Sequence, residues 1–197
     1  MAKLFYNYGT MNSGKTLQML AVKHNYDLVN YHTYILAPTV DTRSGKGWVS
    51  SRVAGMKEPC YAFGKNDTVE SVLSIFPLPK NNDTIIMVDE CQFLLPSQVD
   101  DLANVVDRYN VPVLAYGLKT DFTGKLFDAS KRFLELADDI REVKTICEYC
   151  GRKATCNMLT ENGKPCFSGD QIRIGDSEYH AVCRKCFNKF KEGAILK

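Results

Sequence analysis

Residues 4–20 read LFYNYGTMNSGKTLQML, and the centre of that stretch, Gly9-Thr10-Met11-Asn12-Ser13-Gly14-Lys15-Thr16, decides the reading of the whole chain. It satisfies G-x-x-x-x-G-K-[ST], the pattern of a phosphate-binding loop, whose weight depends on what flanks it. Before it, Lys3–Tyr8 is a short apolar and aromatic run ending at a glycine, which predicts a buried strand. After it, Leu17, Leu20, Ala21, His24 and Leu28 recur at helical spacing. Strand, loop and helix in that order are the context the motif requires. The glycines let the backbone approach closely, so that successive N–H groups from Gly9 to Gly14 can point at phosphate oxygens at the positive end of a helix. Lys15 adds a compact charge near the β and γ phosphates, and the Thr16 hydroxyl is a ligand for Mg²⁺.

Working outward, Thr33–Ala37 (TYILA), Thr84–Val88 (TIIMV) and Val111–Tyr116 (VPVLAY) are further short apolar runs, with Pro112 at a place where no ladder donor is needed. Helical patterns lie between them at residues 68–76 and 97–109. Continuous apolar strands alternating with helices predict an α/β fold of the P-loop NTPase type: a parallel sheet with helices on both faces. Residues 39–58 are rich in small and charged side chains without periodicity and read as one long loop. After Thr145 the texture changes to Cys, Gly, Lys and Arg, which divides the chain into a nucleotide-binding unit, 1–145, and a small C-terminal unit, 146–197.

The second half of a phosphate site is an acidic strand end, and TIIMVDECQF supplies it. Asp89 is placed to hold Mg²⁺, Glu90 to take a proton from a nucleophile, and Gln92 joins the nucleotide-binding set. Because DECQ also resembles the D-E-x-x box of helicase-like ATPases, these motifs by themselves leave both an ATPase and a kinase open.

Cys147-x-x-Cys150 and Cys183-x-x-Cys186 are two thiolate pairs separated by residues 151–182, longer than the spacer of about 15–20 residues in a two-knuckle zinc ribbon. Four thiolates predict a closed, structural Zn²⁺ site. Cys156, Cys166 and His180 lie inside the span as possible substitutes; Cys60 and Cys91 read as small buried hydrophobes, and His24 and His32 as ordinary. The long spacer makes a loop pinned at both ends, able to close over a ligand as a lasso.

Composition narrows the class. Eight cysteines without a secretory signal favour metal over disulfides. The apolar runs are far shorter than the roughly 18 residues of a membrane span, so the expectation is a soluble, cytoplasmic protein with no membrane partner. A net charge of +2 gives no strong field toward nucleic acid, and Arg184, Lys185, Lys189, Lys191 and Lys197 read as a solvated basic end.

Taken in order, GTMNSGKT, DTR, DECQF, YGLKTDFTGKLF, C-x-x-C and QIRIGDSEYHAVCRKC resemble the small cytosolic thymidine kinases, over most of the 197 residues. The resemblance implies transfer of the γ-phosphoryl of ATP to the 5′-hydroxyl of thymidine, with deoxyuridine as a further acceptor. It makes Glu90 the base, Arg43 the basic residue near the transferring phosphate, and Met11, Phe93, Leu118, Phe122 and Phe127 the apolar pocket of the nucleoside. Main-chain groups of Gln171, Ile172, Arg173, Ile174 and Gly175 would meet the pyrimidine, with Tyr179 closing the site. It further implies a homotetramer, no nucleic-acid partner, and thymidine triphosphate as a feedback ligand. Thr10 and Asn12 depart from the family's G-P-M-F-S-G-K, a change backbone amides should tolerate. Phe122, following Lys119, Thr120 and Asp121, is expected to be exposed and in need of a partner. A reading of another class, a zinc-ribbon P-loop ATPase acting on nucleic acid, would call for a second motor domain or an oligomeric arginine finger, and a basic track.

Overall fold

The computed structural model describes residues 1–41, 44–51, 55–75, 83–171 and 178–193. In chain order the elements are β1 (Leu4–Tyr8), α1 (Lys15–Asp27), β2 (His32–Pro38), β3 (Trp48–Ser50), β4 (Lys57–Pro59), β5 (Tyr61–Phe63), α2 (Val69–Ile75), β6 (Thr84–Val88), α3 (Pro96–Tyr109), β7 (Val113–Gly117), α4 (Asp128–Leu136), β8 (Asp139–Glu142), β9 (Cys156–Glu161), β10 (Lys164–Cys166), β11 (Glu178–Val182) and α5 (Arg184–Lys191). A short 3-10 turn, Cys91–Phe93, follows β6.

Six strands form one sheet in the order β5-β2-β6-β7-β1-β8, every neighbouring pair parallel. Alternate residues of the central strands face opposite ways, as the two-residue period of a strand requires. Leu36, Ile86, Val88, Val113 and Ala115 pack with Val69 and Val72 of α2, Val99, Leu102, Val105 and Val106 of α3, and Ala129 and Phe133 of α4. Ile35, Ile85, Met87 and Tyr116 pack on the other face with Met19 and Leu20 of α1 and with Val49 of β3. Thr84–Val88 is buried at every position because both faces are covered. Pro112 precedes β7, and its carbonyl accepts from Ile86 N.

Three expectations change. The buried stripe of α1 runs through Lys15, Met19 and Leu20, with Val22 and Tyr26 packed beside it, while Ala21, His24 and Leu28 are exposed. The phosphate loop turns Lys15 inward and thereby sets the helix's rotation, against the face that leucine spacing suggested. The presumed loop 39–58 contains the antiparallel pair β3–β4, with Trp48 opposite Pro59 and Ser50 opposite Lys57. Strands of three residues are too short to show a period. The C-terminal stretch forms a three-stranded antiparallel sheet, β10-β9-β11, that its low apolar content concealed.

The parallel strands all run the same way, so β1, β6 and β7 deliver their C-terminal ends to one edge: the phosphate loop after Tyr8, Asp89-Glu90 after Val88, and Leu118 after Gly117. Crevices at strand ends are where open α/β sheets bind ligands.

Candidate functional site

Gly14 caps α1 in the left-handed region, φ 83°, a conformation glycine adopts without steric cost. Gly9 is required for a different reason: a Cβ there would lie 2.6 Å from Val143 O and 2.4 Å from Ser13 Oγ. Lys15 Nζ donates to Thr10 O at 2.8 Å. The hydroxyls of Thr10 and Ser13 are buried and have no hydrogen-bond partner among the described residues; such groups are rare unless a ligand completes them.

One strand separates β1 from β6, yet α1 carries Thr16 back across it. Thr16 Oγ1 donates to Asp89 Oδ2 at 3.0 Å. Burial, then the charge of Glu90, pushes the Asp89 carboxyl up to about 7, although Thr16 and Lys15 pull the other way. A buried carboxylate next to a hydroxyl oxygen, held at an electrostatic cost, is a donor set suited to a small hard cation such as Mg²⁺. Glu90 has φ 47° and ψ 40°, left-handed for a residue with a side chain, a conformation that costs roughly 1–2 kcal/mol and clusters at functional sites. Its backbone N–H donates to Asp89 Oδ1 at 3.0 Å, and Gln92 Nε2 donates to its Oε2 at 2.6 Å.

Met11 to Leu17, Asp89 and Glu90 line a single cleft of about 430 Å³, closed on its other side by Asp41, Ser44, Ser50 and Ser51. Ser44 and Ser50 share a hydrogen bond of 2.8 Å between their hydroxyls. The three serines carry no sequence signal; only the β3–β4 hairpin brings them here. Gln92 does not line the cleft.

The apolar group lies on the adjoining strand ends. Phe93 and Phe127 meet edge to face with centroids 6.0 Å apart, and Leu118, Phe122 and Phe127 are buried. Phe122, expected to be exposed, has 0% of its surface accessible. Asp121 Oδ1 accepts from Thr123 N, Thr123 Oγ1 and Lys125 N, and Thr120 bridges Leu126. This tight turn folds Phe122 inward. Gln171 Nε2 donates to Asp121 Oδ2 at 3.0 Å and to Leu126 O at 3.3 Å, which ties the loop after β10 to the same turn. Tyr179 is half-buried on β11, and its carbonyl accepts from Asn12 Nδ2 at 3.5 Å. Arg43, Ile172, Arg173, Ile174 and Gly175 lie outside the described residues.

Asn157 of β9, which no motif singled out, is 2% exposed. Its Oδ1 accepts from Met11 N at 2.7 Å and its Nδ2 donates to Thr120 O at 2.8 Å. One amide thus joins the smaller sheet to the phosphate loop and to the loop that carries Phe122.

The sulfur atoms of Cys147, Cys150, Cys183 and Cys186 all lie within 4.8 Å of one another, and Cys150 and Cys183 are 3.5 Å apart. Four thiolates at about 2.3 Å from a tetrahedral Zn²⁺ sit at comparable mutual distances. Backbone turns set each pair: Cys150 N and Gly151 N donate to Cys147 O, and Cys183 caps α5 with its sulfur accepting from Cys186 N. The Arg152 guanidinium beside Cys150 pulls its thiol down to about 6, whereas burial among the other sulfurs pushes Cys186 up to about 12. Cys166 instead donates to Ser168 O, and His180 bonds Glu148 Oε2 through Nδ1. Cys91 is buried and Cys60 half-buried, both as free thiols.

Among the described residues no helix is long and apolar enough to cross a membrane. The thymidine kinase family profile matches residues 2–187. A thymidine kinase of Streptococcus gordonii is 48% identical over 190 residues, covering 96% of this chain and 97% of the relative. Thymidine kinases of Streptococcus agalactiae and Streptococcus pyogenes are each 48% identical over 186 residues, covering 94% of this chain and 96% of theirs. A chain matched along nearly its whole length in this way belongs to the thymidine kinase family.

Proposed function

We propose that the protein phosphorylates thymidine, moving the γ-phosphoryl of ATP to the 5′-hydroxyl to give the monophosphate, in nucleotide salvage. The observation that carries this reading is one cleft in which a phosphate loop faces Asp89 and Glu90, with the apolar pocket beginning at Phe93 on the same turn as the acid pair. Membership of the family supplies the acceptor. Nothing favours the nucleic-acid ATPase.

Glu90 accepts the proton as the 5′-oxygen attacks the γ-phosphorus; its bond to the oxygen bridging β and γ breaks and adenosine diphosphate leaves with that oxygen. Loop amides and Lys15 hold the phosphates, and Arg43 adds charge near the one in transit. Thr16 and Asp89 would hold Mg²⁺, which neutralises phosphate charge. Met11, Phe93, Leu118, Phe122 and Phe127 form the walls for the nucleoside, residues 171–175 meet the pyrimidine through their main chain, and Tyr179 covers it. The four cysteines hold structural zinc and anchor the lasso, the division between the two units falling near residue 145. Thymidine triphosphate reaches the same pocket as a feedback ligand, deoxyuridine is a second acceptor, and the protein works as a cytoplasmic homotetramer.

The test is transfer of label from γ-labelled ATP. Label recovered in thymidine monophosphate supports the reading; label released as inorganic phosphate only when DNA is added overturns it.

A further inference from the structure

Gln92, expected in the nucleotide-binding set, does not line the cleft, yet it is 3% exposed and its amide is engaged at both ends. Nε2 donates to Glu90 Oε2 at 2.6 Å, and Oε1 accepts from Leu118 N at 2.9 Å. The first bond joins residues two apart in sequence and exists because the 3-10 turn Cys91–Phe93 folds Gln92 back beneath Glu90. The second joins the turn after β6 to the exit of β7 across 26 positions. Gly117 is what admits it: a Cβ on Gly117 would stand 2.6 Å from Gln92 Oε1 and 2.6 Å from Cys91 Sγ.

We propose that Gln92 is the positioning residue of Glu90, holding its carboxylate in register with Leu118 and so with the pocket that presents the acceptor hydroxyl. The inference rests on the reading of Glu90 as base. Glu90 leaves β6 through a left-handed backbone, so its direction is not set by the strand and needs a buried tether. The amide supplies a donor to the carboxylate, which matches an ionised proton acceptor. Phe93, next in the turn, and Leu118, at the other end of the amide, belong to the apolar pocket. Base and pocket are therefore gauged against each other by one side chain.

Gln92→Met keeps the length and removes both bonds; Gln92→Glu keeps an acceptor for Leu118 N and removes the donor. A reacting group displaced by about 1 Å loses on the order of 10²-fold. Both variants are therefore expected to lower kcat by about that factor, with thymidine affinity and the KM for ATP changed less than about threefold. Gly117→Ala should give the same signature. The decisive measurement repeats Gln92→Met and Gln92→Glu in a Glu90→Ala background. There, with no carboxylate to aim, residual turnover should not fall further. An equal fall in that background makes Gln92 a structural residue and overturns the proposal. So does unchanged kcat in the single variants, or a rise in KM for ATP with kcat intact, which would make the amide a nucleotide contact. Near-normal turnover of Glu90→Ala alone removes the base reading, and the proposal with it. If Gln92→Met melts early for lack of a partner to Leu118 N, Gln92→Glu carries the test.

Discussion

Around β6 the chain surrounds itself with buried aliphatic side chains on both faces of the sheet. Around β9 the buried cluster is Cys147, Met158, Val182, Cys183 and Cys186, so three of five members belong to the metal cluster. The larger sheet is held by area removed from water; the smaller has few buried aliphatic side chains and leans on rings such as Tyr149 against Phe190, 4.6 Å between centroids, and on a cysteine cluster suited to a metal ion. What the contrast teaches is a division of labour. The candidate phosphate site stands on strand ends packed on both faces, while the smaller sheet gathers beside a cysteine cluster suited to a metal ion.

The sharpest way to break this contrast is to remove the metal. Cys150→Ser, or chelation, should abolish bound zinc and unfold residues 146–197 locally, forfeiting on the order of 10 kcal/mol of apparent binding free energy. The larger sheet should keep its fold and its nucleotide. Zinc content by elemental analysis, with circular dichroism, checks it; unchanged zinc would send the search to Cys156, Cys166 or His180.

Next in size is Glu90→Gln, which keeps the shape and removes the basic oxygen. Turnover should fall about 10²- to 10⁴-fold with ligand binding nearly retained. Steady-state kinetics beside calorimetric titration of nucleotide separates the two.

The mirror image of the metal experiment is Phe133→Ala. Phe133 is fully buried and stacks on Tyr6 at 5.1 Å, so the loss should be about 3–5 kcal/mol in urea unfolding. Zinc content should be unchanged, since the damage lies on the other sheet.

Asn157→Ala tests the joint between the two. It leaves Met11 N and Thr120 O without their partner, at about 1–3 kcal/mol. Zinc should stay bound while hydrogen exchange rises at the Met11 N–H, which loses its acceptor. Unchanged protection of the Met11 N–H would show that the sheets do not communicate through this amide.

The last effect concerns pH. Burial holds Asp89 near 7 against an ordinary 3.8, so between those values the native protein keeps a proton the unfolded chain has lost. That contribution is fully present below about 3.8 and disappears as pH rises through about 7. Asp89→Asn should therefore shrink the fall in Tm of the unliganded protein between pH 5 and 8.

Much of the site could be read directly. The phosphate loop, the acid pair and the two Cys-x-x-Cys pairs are contiguous because each is a single turn, and a turn's chemistry is written in adjacent residues. TIIMV was legible as a strand because covering on both faces demands apolar residues at every position. The face of α1 was not, because the loop, through Lys15, overrides the spacing of its leucines. The hairpin β3–β4 was hidden by its short strands, and the burial of Phe122 by the polar residues around it, whose side chains turn out to build the turn that hides it.

By itself, then, the sequence determined the kinds of residue present, a phosphate-loop pattern, a carboxylate pair and two thiol pairs suited to a metal ion, together with the order of β1, α1, β2, α2, β6, α3 and β7. Tertiary structure decided what stands beside what. Ser44 and Ser51 opposite the phosphate loop, Asn157 between Met11 and Thr120, and Gln92 between Glu90 and Leu118 are meetings of residues that no local pattern announces. Their reason is physical: a buried amide or hydroxyl must find partners wherever the packed sheet ends bring them, and that proximity is set by the order of strands across the sheet.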